Sequence, residues 1–141
     1  MKLSRTVGYA LQATLQLAEA EPGTPVPCSQ LAARGQMPER FLLQILRNLV
    51  THGILHSTRG VDGGYALDRP ANEISLLDLI DAVDGPLLAN TPLAEGLPPE
   101  LMQQISAALK EVTAATRKQL SNIKISSLIS DRHNAAEQKS A

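Results

Sequence analysis

Residues 37–69, which read MPERFLLQILRNLVTHGILHSTRGVDGGYALDR, decide the fold of this chain. The first half has apolar residues at helical spacing, and the second half has two strand-like runs around a glycine-rich turn. We predict a helix that begins at Pro38 and ends at Gly53, then strands over residues 54–58 and 65–68. A helix that leads directly into a hairpin is typical of a winged helix-turn-helix, which presents both elements to DNA.

Two further helices are predicted before this stretch. Ser4 is a suitable N-cap for a helix that stops before the proline-rich run 22–27, which cannot be helical. Ser29 is expected to cap a short helix that reaches about Arg34, and Gly35 is expected to supply the tight turn after it. The helix that follows this turn is expected to bury its apolar face, which consists of Phe41, Leu42, Ile45, Leu46 and Leu49.

The region after the hairpin is predicted to be mainly helical. Ser75 and Asp78 form a capping box for a helix that runs to about Asp84, and a long helical pattern covers Pro99 to Ile123. The chain is therefore divided into four parts. Residues 1–85 form a winged helix-turn-helix domain, and residues 86–98 form a linker. Residues 99–130 form a long helix with a short C-terminal helix, and residues 131–141 form a disordered polar tail. The predicted fold class is mainly α with a small β-hairpin.

Composition and charge are typical of a soluble globular protein. With 141 residues, 43% of them hydrophobic and only 2% aromatic, the chain can bury an aliphatic core. The formal net charge is −1, but residues 1–69 carry seven Lys/Arg against five Asp/Glu, and residues 70–141 carry six against nine. No apolar run approaches the ~18 residues that span a bilayer, so we expect a cytoplasmic protein without a membrane partner.

One face of the predicted helix in residues 37–69 is polar and cationic. The side opposite its apolar face carries Arg40, Gln44, Arg47 and Thr51. Arginine pairs with guanine and glutamine with adenine, so these side chains are candidates for contacts to bases or phosphates. Arg59, beside Gly60 in the hairpin turn, is the candidate for a narrow minor groove, where the potential is most negative. The alternative is an ordinary solvated helix face and a surface arginine.

The long C-terminal helical pattern has an apolar stripe. About 25 residues at ~1.5 Å each give a rod of roughly 37 Å. The stripe needs a partner surface, and a second copy of the chain is the simplest one. The residues predicted to form this homodimer contact are Leu101, Ile105, Ala108, Val112, Ala115 and Ile123.

Few other residues indicate a chemical site. Cys28, the single cysteine, lies in a loop next to a helix start, where a thiolate would be favoured, which makes it a candidate redox residue; a passive thiol is the alternative. Asp78, Asp81 and Asp84 recur every three residues, and a capping box with a solvated acidic face explains them without a metal ion. The sequence has no nucleophile–base pair and no nucleotide-binding loop, so we expect neither an enzyme nor a cofactor.

A specific combination of residues covers about the first 85 positions. It consists of Met1-Lys2-Leu3-Ser4, Tyr9-Ala10-Leu11, Pro38, Phe41-Leu42, Ile45-Leu46-Arg47-Asn48-Leu49, Gly53, Arg59-Gly60, Gly63-Gly64-Tyr65-Ala66-Leu67, Ile74-Ser75-Leu76 and Asp84-Gly85. This combination resembles the IscR/NsrR-type winged-helix regulators of bacteria, the Rrf2 family. The resemblance implies a homodimer that binds a partly palindromic operator and usually represses, with DNA contacts from Pro38, Phe41, Gln44, Arg59 and Gly60.

The chain departs from the family in one region. Members that hold an iron–sulfur cluster place three cysteines between the DNA-binding domain and the long helix, whereas residues 86–99 contain neither cysteine nor histidine. The resemblance therefore implies a cluster-free member that responds to a small molecule, a partner protein or thiol oxidation. The main hypothesis is a DNA-binding regulator, more specifically a repressor. The alternative is a protein-interaction module whose 86–123 region docks a partner protein or small effector.

Overall fold

The computed structural model describes residues 1–88 and 95–140. Its elements are α1 (Arg5–Glu19), α2 (Cys28–Gly35), α3 (Glu39–Thr51), β1 (Leu55–Thr58), β2 (Gly64–Leu67), a 3-10 turn (Ala71–Glu73), α4 (Leu76–Val83), α5 (Pro99–Ser121) and α6 (Ile125–Ser140). The predicted class, mainly α with a small β-hairpin, is confirmed. None of the helices in the described ranges is long and apolar enough to cross a membrane. Residues 89–94 of the predicted linker and Ala141 of the predicted tail lie outside the described residues.

Two helix starts follow directly from local sequence signals. The Ser4 hydroxyl accepts a hydrogen bond from the Val7 amide at 3.1 Å, as expected of the N-cap of α1. At α4, the Asp78 amide donates to the Ser75 hydroxyl, and the Ser75 amide donates to the Asp78 carboxylate. Both predicted caps are therefore confirmed, and they fix where α1 and α4 begin.

The predicted start of α2 was wrong by two residues, and its predicted end was wrong by one. The helix begins at Cys28, because Pro27 is the N-cap and its carbonyl accepts from the second turn; the Ser29 side chain makes no cap. At the other end the turn was expected at Gly35, but Gln36, with φ of 53°, is the residue that takes the left-handed conformation after the helix. A Cβ at Gly35 would lie 2.5 Å from Cε of Met37, the end of a flexible side chain that would have to shift.

The main core lies between α1, α3, α4 and the start of the hairpin. From α3 it takes Leu42, Ile45, Leu46 and Leu49, as predicted. The prediction that Phe41 is also buried was wrong, because its side chain is 49% exposed. Phe41 lies at the edge of the apolar face of α3, where no neighbouring element covers it fully.

The hairpin pairs antiparallel, with Leu55 opposite Leu67 and Thr58 opposite Gly64. Its strands begin and end within one residue of the predicted positions. A second pair of backbone hydrogen bonds, both 2.9 Å long, joins Tyr65 to Val26 in the loop before α2. Strand β2 is thus paired on both of its edges, with β1 on one side and Val26 on the other.

The C-terminal helices differ from their predicted extents. Helix α5 ends at Ser121, so Ile123 lies in the following turn, where its carbonyl accepts from the Leu76 amide. The region 131–141 was predicted to be a disordered tail, and this is corrected as far as Ser140, the end of α6. Fully buried Ile125 anchors α6 in the main core, and the alanines and long polar residues after it favour helix.

Candidate nucleic-acid interface

Helix α3 presents a continuous exposed face. Every predicted contact residue on this helix or at its N-cap is exposed: Pro38, Arg40, Phe41, Gln44, Arg47 and Thr51. The buried side of the same helix is entirely aliphatic. Because that side packs into the core, the opposite side of the helix faces outward. The roles of these residues in DNA binding stay predictions, but all of them are available to a ligand.

Phe41 is held in place by an aromatic neighbour. Its ring lies 6.1 Å from the ring of Tyr9 on α1, with an angle of 79° between the ring planes. This edge-to-face geometry is favourable for two aromatic rings. Phe41 is therefore a rigid, half-exposed apolar group at the N-terminal end of α3.

Two polar residues of α3 have contacts within their own helix. The Gln44 side-chain amide lies 3.4 Å from the carbonyl oxygen of the Asn48 side chain, one turn later. The Thr51 hydroxyl donates to the Arg47 backbone carbonyl at 3.0 Å, which leaves only its oxygen lone pairs for other partners. Asn48 was not among the predicted contact residues, although its spacing of four residues from Gln44 places the two on one face.

The hairpin turn carries the second group of predicted contacts. Arg59 is exposed, and Gly60 has a φ of 113°, a conformation that favours glycine. The amide of Gly63 donates to the Gly60 carbonyl, which closes the turn. Val61, at the tip, is fully exposed. Asp62 in the same turn is exposed as well, so the turn projects one cation, one apolar side chain and one carboxylate away from the body.

An open groove of about 400 Å³ lies between α3 and the hairpin. It is lined by Arg47, Val50 and Thr51 from α3 and by Ser57 and Tyr65 from the two strands. Burial raises the pKa of Tyr65, nearby Cys28 raises it further, and the Arg47 cation opposes this. The phenol is thus a protonated hydrogen-bond donor beside a guanidinium. Ser57 and Tyr65 were missed, although opposite positions in a hairpin share a face.

Cys28 is not the activated thiol that its position suggested. Burial raises the pKa of Cys28, and the charge of Glu39 raises it further. Its Sγ lies 3.7 Å from the Glu39 carbonyl oxygen, to which a thiol can donate. The expectation that a thiolate is favoured at this helix start is therefore wrong, because desolvation and the neighbouring carboxylate favour the neutral form.

The three aspartates of α4 and its C-cap each have a separate structural partner. Asp78 completes the capping box, and Asp81 accepts from Arg117 of α5. Asp84 accepts a hydrogen bond from the Ser4 hydroxyl at 2.7 Å. The three aspartates are therefore accounted for by hydrogen bonds that cap α4 or join it to neighbouring elements.

The apolar stripe of α5 lies away from the α3–hairpin groove, on a helix that packs against α4. Leu101 is 40% exposed and Val112 is 62% exposed, and Ala108 and Ala115 are exposed as well. Ile105 is half-buried, and Ile123, beyond the end of the helix, is 37% exposed. The predicted dimer residues thus stay largely uncovered in the single chain.

The family profile of Rrf2, described as an iron-dependent transcriptional regulator, matches residues 3–131. An HTH-type transcriptional regulator of Mycobacterium tuberculosis is 46% identical over 87 residues, which are 62% of this chain and 54% of that protein. The chain therefore spans about half the length of the first relatives that it matches. The regulator CymR of Bacillus subtilis is 30% identical over 118 residues, which are 82% of this chain and 86% of CymR.

Solved structures show the same fold. That of CymR, the global cysteine regulator of B. subtilis, has a TM-score of 0.73 at 24% identity and covers 92% of this chain and 97% of its own. The oxidized form of Staphylococcus aureus CymR has a TM-score of 0.69 at 29% identity, with 92% and 96% covered. These relatives are regulators and not enzymes, in agreement with the expectation from the sequence. The chain belongs to the Rrf2 family of helix-turn-helix transcriptional regulators.

Proposed function

We propose that this protein is a cytoplasmic repressor that binds a partly palindromic DNA operator as a homodimer, without an iron–sulfur cluster. The observation that carries the proposal is the exposed face of α3 next to the projecting turn with Arg59 and Gly60. One helix and one hairpin turn of this kind can occupy a major groove and the adjacent minor groove of one half-site.

On the exposed face of α3, Gln44 is the best candidate for reading a base. Its side-chain carbonyl and amide can form two hydrogen bonds with adenine, and Asn48 supports it from the next turn. Arg40 and the N-cap Pro38 lie at the end of α3 where the free amides of the first turn favour a phosphate. Phe41 supplies apolar contact at the same end.

The homodimer part of the proposal is supported by the stripe on α5. A soluble single chain gains nothing from exposing Leu101 and Val112 on one side of a helix of 23 residues, whereas a second copy would bury them. Two copies joined through these helices would present their α3 faces to successive major grooves, about 34 Å apart. Such a dimer requires a site with two-fold symmetry.

The residues of this chain do not fit an iron–sulfur cluster. Clusters are held by several cysteine thiolates, and the chain has only Cys28. Its pKa is raised, mainly by burial, and its Sγ lies against the Glu39 carbonyl. Within residues 1–88 and 95–140, no three His, Cys, Asp or Glu side chains are grouped closely enough to hold a metal ion. We therefore assign no role to iron in DNA binding.

Selection of genomic fragments with the purified protein, followed by footprinting, tests DNA binding. We expect a protected site with two half-sites one helical turn apart, and a steep fall of affinity with salt. The variant Gln44→Ala should lose base preference at one position of each half-site. A wild-type protein that selects no sequence over random DNA would contradict the proposal.

The homodimer is tested by the molar mass in light scattering. Val112→Glu places a charge in the stripe and should give monomers that bind the operator much more weakly. Ala114→Glu adds the same charge at an exposed position about 200° around the same helix, and should remain dimeric. Equal masses for the wild type and Val112→Glu would exclude α5 as the dimer contact.

A further inference from the structure

The groove between α3 and the hairpin lies where a DNA strand has to pass. In B-form DNA each major groove is separated from the neighbouring minor groove by one sugar–phosphate strand. If α3 occupies the major groove and Arg59 the adjacent minor groove, that strand runs between the two elements. The groove lined by Arg47, Ser57 and Tyr65 is the space between them.

The lining of this groove has the chemistry of a phosphate site. Arg47 supplies a permanent positive charge, and both Tyr65 and Ser57 supply a hydroxyl that can donate a hydrogen bond. No carboxylate is among the lining residues. The remaining lining residues, Val50 and Thr51, can contact the flanking sugars, and the Thr51 hydroxyl is already bonded to its own helix.

The hairpin wall of the groove is also held by a neighbouring loop. Tyr65 is hydrogen-bonded through its backbone to Val26, and Ser57 is its partner across the hairpin. Next to Tyr65, Gly64 lies so close to Val26 that a Cβ there would be 2.4 Å from its backbone atoms. The hairpin wall of the groove is therefore tied by backbone hydrogen bonds to the loop before α2 and packs closely against it.

We propose that this groove binds one phosphate of the operator in each protomer, with Arg47 as the charged contact and the hydroxyls of Tyr65 and Ser57 as donors. The inference rests on the proposed DNA binding and refines it, since it assigns Arg47 to the backbone of DNA and not to a guanine. Phosphate contacts position a protein on the duplex without reading its sequence. Arg47 and Gln44, one turn apart on α3, thus have different tasks.

The test measures the affinity of Arg47→Ala, Tyr65→Phe and Ser57→Ala for the selected operator and for operators with single base changes. Arg47→Ala should bind about tenfold or more weakly on every sequence alike. In a plot of log affinity against log salt concentration, the slope for Arg47→Ala should be shallower than that of the wild type by about one unit per protomer. Tyr65→Phe keeps the ring and should lose about threefold to tenfold, again uniformly and with an unchanged salt slope.

Gln44→Ala serves as the control, because it should change base preference and leave the salt slope as it is. Ethylation of single phosphates should locate the contact: one phosphate between the α3 half-site and the flanking minor groove should interfere with the wild type and not with Arg47→Ala. A loss of preference at one base pair in Arg47→Ala, or unchanged affinity in both Arg47→Ala and Tyr65→Phe, would overturn the inference. If the wild type selects no operator, the proposed function is contradicted, whatever the result for the groove. The same variants can then be compared on random duplex DNA, which still tests whether the groove binds a phosphate.

Discussion

Arg117 of α5 holds Asp81 of α4 with both of its terminal amino groups. Nη1 donates to Oδ1 at 3.2 Å, and Nη2 donates to Oδ2 at 3.1 Å. The same Nη1 also donates to the Leu87 carbonyl, and the Leu87 amide donates back to Asp81. One guanidinium thus joins α4, the start of the segment after Gly85, and α5. Because α5 packs chiefly against α4, this contact adds to the buried packing of Leu120 in fixing α5 on the body.

Replacing Arg117 with Lys should test this connection. Lysine keeps the charge but cannot form two parallel hydrogen bonds to one carboxylate. We expect a loss of about 1 kcal/mol in the free energy of unfolding, a modest value because both side chains are about one-third exposed. In the proposed dimer, the variant should also discriminate less between operators with altered half-site spacing. Both quantities are measurable by denaturant unfolding and by binding to a series of spacers.

Lys118→Arg is the matched control for this variant. It exchanges one cation for the other at an exposed neighbouring position of α5 without touching Asp81. Its stability and spacer preference should equal those of the wild type. A double-mutant cycle of Arg117→Lys with Asp81→Asn that shows no coupling energy would contradict the structural role of the pair.

Gly64→Ala should destabilise the attachment of the hairpin. A Cβ at this position would lie 2.4 Å from the Val26 carbonyl carbon and oxygen, which are backbone atoms and cannot move aside easily. We expect the free energy of unfolding to fall by about 1–3 kcal/mol. Gly8→Ala provides the opposite control. Nothing lies within 4 Å of a Cβ added at Gly8, and alanine in a helix should raise the free energy of unfolding by up to about 1 kcal/mol. Thermal unfolding of both variants that gives the same midpoint would show that the close contact has no energetic effect.

Features with local signals could be predicted from the sequence. The N-cap Ser4 and the capping box of Ser75 and Asp78 need only residues three apart, and both form as expected. The buried aliphatic residues of α3 follow from the helical periodicity of its own sequence, which depends on no other element. Phe41 shows the limit of this reasoning. Spacing places it at the border of the apolar face, but only the position of α1 decides that Tyr9 covers one edge of it.

Features that depend on distant residues could not be predicted. Tyr65, which lines the groove beside α3, pairs with Val26, a residue in a proline-rich loop with no strand pattern. Helix α6 has few apolar residues, yet Ile125 enters the core between elements far earlier in the chain. The position of Cys28 next to a helix start predicted a thiolate, whereas the nearby Glu39 and the burial of the thiol come from the way α2 and α3 pack.

Phe41→Ala should separate binding from stability. Phe41 is 49% exposed, so its removal should cost only about 1 kcal/mol of folding free energy, chiefly the contact with Tyr9. Its loss should nevertheless weaken DNA binding several-fold, because the ring lies on the exposed face of α3. Leu42→Ala, one residue later and fully buried, should cost about 2–5 kcal/mol instead. If Phe41→Ala binds the operator as tightly as the wild type, Phe41 has only a structural role.

Cys28 should react slowly with alkylating reagents at neutral pH. Its pKa is raised, first by burial and then by the charge of Glu39, so the folded protein holds the proton more tightly than the unfolded chain. The stability gained from the neutral thiol is complete below the pKa of the unfolded state and is lost as the pH rises through the higher folded value.

The rate of iodoacetamide modification should therefore rise with pH around a midpoint above that of the same protein in denaturant. Glu39→Gln should lower this midpoint only in part, because burial is the larger cause. A folded-state midpoint at or below the unfolded one would show that Cys28 is activated after all and would restore it as a candidate redox residue.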